Sequence, residues 1–212
     1  MPLHNTKKMV FDLFYLPSLE FFSAIHGADE LIIDPNDPYV RQSYRNRTRI
    51  LLANKTEQLS VPVLGARSRK PYKEIKIDYS QKWMNVHLRG IQSAYGKAPF
   101  FEHFYSDLEH VYLQQHKYLL DLNRKILTLC LKFLGWNVKM VTTSSAIKNE
   151  DCEDIRGLIN AKQPYGEREL YLPHPYQQIF GADFVPNLCV LDLLFCEGVQ
   201  AGKILALSKK SN

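Results

Sequence analysis

Arg45, Arg47 and Arg49 occupy every second position of the segment Tyr44-Arg45-Asn46-Arg47-Thr48-Arg49. In an extended chain alternate side chains share a face, so the three guanidinium groups would line one side and Tyr44, Asn46 and Thr48 the other. Three like charges within about 13 Å repel one another unless anions or carboxylates lie among them. The planar fork of arginine suits phosphate and carboxylate, so one reading is an anion clamp. The other is ion pairing with Asp34, Asp37 or Asp78, or plain solvation.

Four further residues have types and positions that could do chemistry. His87 lies four residues from both Trp83 and Ile91, on one helical face, and is the best general-base candidate in the chain. A histidine so placed is more often a satisfied core residue. Asp192 interrupts the apolar run Leu188 to Phe195. A buried carboxylate costs several kcal/mol unless paired, so Asp192 either caps or pairs with an arginine, or orients a substrate. Asn187, just before it, is expected to cap that helix. Asp34 closes a strand whose carboxyl end is where open α/β sheets collect ligands. In Asp34-Pro35-Asn36-Asp37-Pro38 it is also a natural turn initiator, the more ordinary role.

The elements that must position these residues are readable. Val10 to Tyr15 is expected as a strand, Leu16-Pro17-Ser18 opens a helix bearing Leu19, Phe21, Phe22 and Ile25, and Gly27 stops it. Leu31 to Ile33 follows as a strand, which predicts a right-handed βαβ unit. Tyr44 to Ala53 and Gln58 to Leu64 read as a hairpin, then Gly65 to Pro71 as a basic loop and Glu74 to Tyr79 as a strand. Helices are predicted from Ser80 to Tyr95, from Pro99 through Val111, and from Leu119 to Leu134, where Gly135 ends the last of them. Asn137 to Thr142 is expected as a strand. Residues 143–175 are polar without a clear period, and a final helix runs from about Pro186 to Glu197. The expected fold is α/β: a single domain over 1–212 with a mixed sheet, an N-terminal βαβ unit and hairpin, a helical middle and a C-terminal helix. The ordered core is expected from about residue 9 to 200, with 203–212 a frayed tail.

Composition narrows the function classes. The 212 residues carry 27 Lys+Arg against 22 Asp+Glu and are 45% hydrophobic, which excludes wholesale disorder. The net charge of +5 is mild. A nucleic-acid partner is therefore not expected, although Arg67, Arg69 and Lys70 form a basic loop. No stretch approaches a membrane span and no signal peptide is visible, so the expected location is the cytosol. Cys130, Cys152, Cys189 and Cys196 form no C-x-x-C pair and are expected as free thiols. His103, His110 and His116 lack a regular ligand spacing, and neither a metal nor a cofactor is expected. Walker, G-x-G-x-x-G and G-x-S-x-G motifs are absent.

Several ordered blocks resemble the WbqC-like family. They are Tyr15-Leu16-Pro17 with Phe21-Phe22, Asp29, Tyr44-Arg45-Asn46-Arg47, and Leu59-Ser60-Val61-Pro62-Val63. The central block is Trp83, His87, Ile91, Ala94-Tyr95 and Pro99-Phe100-Phe101. The close is Phe184-Val185-Pro186-Asn187-Leu188, Asp192-Leu193-Leu194-Phe195 and Gly198. Where many relatives carry a Ser-Gly-Pro-Gly-Gly type segment, this chain has Asp154-Ile155-Arg156 through Lys162-Gln163-Pro164, as in the branch found in Bacteroidetes. Members occur in bacterial O-antigen and other surface-polysaccharide clusters, with a suggested glycine-transferase role. The resemblance thus implies a cytosolic transferase, with acyl or glycyl transfer onto a sugar precursor. The alternative is a non-catalytic binding or assembly protein of the same pathway.

On the transferase reading the ligand is a nucleotide-sugar or another phosphorylated or anionic small molecule, with pathway enzymes as further partners. Tyr15, Tyr44, Asn46 and Asn187 would join Asp34, Arg45, Arg47 and Arg49 in binding it. His87 or Asp192 would take the proton from the accepting group.

Overall fold

The computed structural model describes residues 6–65, 70–143, 152–181 and 183–210. Arg67 and Arg69 of the basic loop lie outside the described residues. Strand β1 (Lys8–Val10), helix α1 (Leu19–Ile25) and strand β2 (Glu30–Ile33) form the expected βαβ unit. β1 and β2 pair in parallel, Lys8 opposite Glu30 and Val10 opposite Ile32. β1 lies earlier than expected: of the segment Val10 to Tyr15 only Val10 is in the strand, which begins at Lys8. After Val10 the chain stays buried but leaves the ladder, and Leu16, at φ 40°, turns it into α1. Gly27, at φ 80°, carries the chain out of the helix, a conformation that favours glycine.

Strands β3 (Arg47–Leu52) and β4 (Lys55–Ser60) form the expected hairpin, with Leu52 opposite Lys55 across a two-residue turn. Strand β5 (Val63–Leu64) pairs antiparallel with β6 (Lys76–Ile77). Helices α2 (Trp83–Tyr95), α3 (Phe101–Leu113) and α4 (Leu119–Phe133) fill the middle of the chain. The stripe Leu119, Leu122, Ile126 and Cys130 of α4 is buried throughout. Strand β7 (Lys139–Thr142) then joins β2, and β8 (Glu153–Asp154) joins β1, both in parallel. The order β7-β2-β1-β8 makes a four-stranded parallel sheet, and the antiparallel pairings sit in two separate ribbons. The two residues of β8 lie in the polar stretch that gave no period, because two residues cannot display an alternation.

Helix α5 (Val190–Glu197) begins about four residues later than the expected start near Pro186. Asn187 adopts φ 54°, and Leu188 and Cys189 run extended as a strap. The Leu188 carbonyl accepts from the Leu19 N–H at 3.0 Å, and the Cys189 N–H donates to the Arg49 carbonyl at 3.0 Å. The strap therefore ties the start of α1 to β3. After Gly198 the chain continues into helix α6 (Ala201–Leu207), which packs on α1. α1, α5 and α6 pack on one another, α3 packs on α2, α4 and α5, and α2 also packs on β3. Phe21, Phe22, Tyr95, Phe101 and Phe195 are among the large buried rings of this core. The four cysteines are free thiols, with Cys130, Cys189 and Cys196 buried. Among the described residues no helix is long and apolar enough to cross a membrane.

Candidate functional site

The alternation of β3 has a direct consequence for its arginines. Thr48 and Ile50 turn inward and are buried, so Arg47 and Arg49 project to the other side, half-buried and exposed respectively. The Thr48 hydroxyl donates to the Leu16 carbonyl at 2.7 Å and fixes β3 against the turn that opens α1. Arg47 and Arg49 line a cavity of about 380 Å³. Its other walls come from that turn (Tyr15 to Ser18), from Tyr44, from the loop 161–168, and from Asn187 and Cys189 of the strap. Among the described residues no Asp or Glu lines it, whereas Lys162 and Arg168 do.

Arg168 does not offer a free charge. Its Nε donates to Glu20 Oε1 at 2.7 Å, its Nη2 reaches Glu20 Oε2, and its Nη1 donates to the carbonyls of Asn160 (2.6 Å) and Gln163. Tyr44 hydrogen-bonds it as well. Glu20 is fully buried in α1. The same carboxylate accepts from Asn187 Nδ2 at 3.1 Å, while Asn187 Oδ1 accepts the Glu20 N–H at 3.0 Å. Asn187 therefore caps α1 across the chain and not the helix that follows it, which the sequence had suggested. α5 begins only at Val190, two residues beyond the reach of a local cap.

The cavity gathers Tyr15, Tyr44, Arg47, Arg49 and Asn187 from the expected set. The other five expected residues lie elsewhere. Arg45 precedes β3 and does not share the face of Arg47 and Arg49. It is 5% exposed, with Nη2 at 2.5 Å from Asp12 and 3.9 Å from Asp37, and its guanidinium stacks 4.7 Å above the Tyr72 ring. Its carbonyl accepts from Asn123 Nδ2 at 2.6 Å. Asp34 accepts the Asn36 N–H at 2.9 Å, a turn-forming contact, and lies 3.9 Å from Arg156. Asn46 donates to the Val61 carbonyl at 2.8 Å, and the Val61 N–H donates back to the Asn46 carbonyl at 2.8 Å, closing the base of the hairpin.

His87 is buried on α2, where its Nδ1 lies 2.7 Å from the Tyr15 hydroxyl, which in turn meets the Tyr112 hydroxyl. The ring also hydrogen-bonds the backbone of Ser60. A carbonyl can only accept, so that nitrogen carries the hydrogen and Nδ1 accepts from Tyr15. Burial pushes the His87 imidazole down to about 4, and burial pushes the Tyr15 phenol well above its ordinary value. Both are neutral near pH 7. His87 does not line the cavity and reaches it only through Tyr15.

Asp192 is fully buried in the first turn of α5. Its Oδ2 accepts from the Tyr176 hydroxyl at 2.5 Å and from Gln178 Nε2 at 3.0 Å, which pins the 176–178 segment to the helix. Burial raises its carboxyl despite these donors. Cys189 does line the cavity, but burial, then the nearby Asp192 charge, push its thiol up to about 12, so it is no nucleophile at neutral pH.

Glu20, Lys162, Tyr165 and Arg168 were not singled out from the sequence. Glu20 had a signal of the same kind as Asp192, an isolated carboxylate in the apolar run Leu19-Glu20-Phe21-Phe22. The loop residues had none, since 161–168 lacks periodicity.

The sequence profile of the WbqC-like protein family matches residues 14–174, a span that contains the arginine strand, His87 and the loop 161–168. A relative in Mycobacterium tuberculosis, the uncharacterised protein Rv1507c, is 26% identical over 214 residues, covering 88% of this chain and 92% of its own. No solved structure matches the chain. On the extent of the profile match, the chain belongs to the WbqC-like protein family.

Proposed function

We propose that the cavity binds a phosphorylated or otherwise anionic small molecule, and that the protein is a transferase acting on such a ligand. One observation carries the reading. Arg47, Arg49 and Lys162 line the cavity, with no carboxylate among its described lining residues. Arg47 Nε is shielded from solvent and has no hydrogen-bond partner among the described residues. An unpaired guanidinium nitrogen shielded from solvent is costly unless a partner meets it. The cavity volume is in the range of small-molecule sites. Following the resemblance described above, the reaction is acyl or glycyl transfer onto a sugar precursor of a surface polysaccharide, carried out in the cytosol. The nearest proton-accepting nitrogen is His87, behind Tyr15.

A second reading, a non-catalytic binding or assembly protein, is favoured by the placement of His87 and Asp192 off the cavity lining. The two readings share the anion and differ in turnover. A thermal-shift panel of nucleotide-sugars, nucleoside triphosphates, coenzyme A and pyrophosphate tests the shared part. A ligand at 100 times its Kd adds about 2.7 kcal/mol, a rise of roughly 5 to 11 °C for a chain of this size. The expected result is a shift with a phosphorylated ligand that is lost in Arg47→Ala. A shift that survives Arg47→Ala would remove the cavity from the account. Release of free donor product on adding a sugar acceptor then supports the transferase, and a stable complex without turnover supports the binding protein.

A further inference from the structure

The charge inventory of the cavity says more about its ligand than that it is an anion. Among the described residues four cationic side chains line it, and they are not equivalent. Arg168 is consumed by Glu20 on two of its nitrogens and by the Asn160 and Gln163 carbonyls on the third. Arg47 and Arg49 lie on β3 and make no ion pair among the described residues. Arg49 Nη2 donates only to the Thr56 hydroxyl, at 3.2 Å. Lys162 stands on a different wall, the loop 161–168, and likewise makes no ion pair among the described residues.

Lys162 is held there deliberately. Asn160 Oδ1 accepts the backbone N–H of both Lys162 (3.2 Å) and Gln163 (3.1 Å), and Arg168 Nη1 grips the carbonyls of Asn160 and Gln163 on either side. The loop backbone is thus fixed at Lys162, which lines the cavity. Its anchor is the buried Glu20 on α1, beneath the same cavity. Three uncompensated positive charges from two walls repel one another, and a monoanion on one wall leaves the other unmatched.

We infer that the ligand carries two linked phosphate groups, one met by Arg47 and Arg49 on β3 and the other by Lys162 on the loop. A diphosphate or its ester supplies two to three negative charges, which matches the three free cations. This inference rests on the anion-binding reading above and narrows it to the diphosphate class, with Lys162 as the residue that reads the second phosphate.

The test is isothermal titration of the full chain with inorganic phosphate, pyrophosphate and malonate, repeated for Lys162→Ala, Lys162→Arg and Arg47→Ala. Lys162 is exposed, so its substitutions leave the fold in place, which a melting curve confirms. Pyrophosphate is expected to bind the natural protein roughly 10- to 100-fold more tightly than phosphate, the scale of one charge-assisted hydrogen bond. Lys162→Ala should erase that advantage and leave phosphate affinity unchanged. Lys162→Arg should keep it, and Arg47→Ala should weaken both ligands. A pyrophosphate advantage that survives in Lys162→Ala overturns the inference, as does an equal weakening of phosphate and pyrophosphate by Lys162→Ala. Malonate binding as tightly as pyrophosphate overturns the diphosphate class in favour of a dicarboxylate. Failure of all three anions to bind the natural protein sinks the anion-binding reading itself.

Discussion

Arg45 and Arg47 are two residues apart and do opposite work. Arg45 is sealed between Asp12, Asp37 and the Tyr72 ring, while Arg47 faces a cavity with an unpartnered Nε. Removing a buried, paired charge strands its partner carboxylates, so Arg45→Ala should cost about 3 to 5 kcal/mol in urea unfolding. Arg47→Ala should cost less than about 1 kcal/mol, because no partner is stranded. Equal losses would contradict the division between a structural and a ligand-facing arginine.

At the same scale, His87 has a folded value of about 4 against an ordinary 6.5. Above pH 6.5 it is neutral in both states and its contribution is fully present. As pH falls from 6.5 toward 4 the unfolded chain takes up the proton first, and roughly 3 kcal/mol of stability is lost. His87→Gln keeps an acceptor for Tyr15 and a donor for Ser60 but cannot titrate. Unfolding curves of the two proteins should therefore diverge only below about pH 6.5. Parallel curves across that range would rule out a buried neutral histidine. The sequence placed His87 on the right face of the right helix, yet its partner Tyr15 is 72 residues away, a contact no local spacing reveals.

Among the elements, the loop 161–168 is the least regular and the most consequential for the cavity. It holds its shape because Arg168 spans from α1 to the loop's own carbonyls. Glu20→Gln leaves the Arg168 charge buried without its counter-ion, at a cost of roughly 3 kcal/mol. Amide hydrogen exchange in residues 160–168 should accelerate more than in α4, whose core packing does not involve Glu20. Uniform acceleration across both would show that the pair supports the whole domain and not this loop. The βαβ unit, the hairpin and the three central helices were legible because their apolar periods are strong. The strap at 187–189 was not, because Leu188 and Cys189 look like the first turn of α5. Backbone bonds to Leu19 and Arg49, contacts no local spacing reveals, tie them to α1 and β3. That strap is why Asn187 serves α1.

For the whole molecule, the four-stranded parallel sheet and the helices around it bring together segments far apart in sequence. The cavity takes its walls from residues 14–18, 44–49, 161–168 and 187–189. Five of the ten expected site residues line it, and Arg45, Asp12 and Asp37 form a separate ion network. Family membership covers the first three of these segments, since the match ends at residue 174. If Arg47 and Arg49 receive the anion as proposed, a crystal structure of the protein grown with pyrophosphate will show density for it within hydrogen-bond distance of both guanidinium groups, with Arg168 still on Glu20. Pyrophosphate seated elsewhere on the protein, with the cavity holding only water, would contradict it.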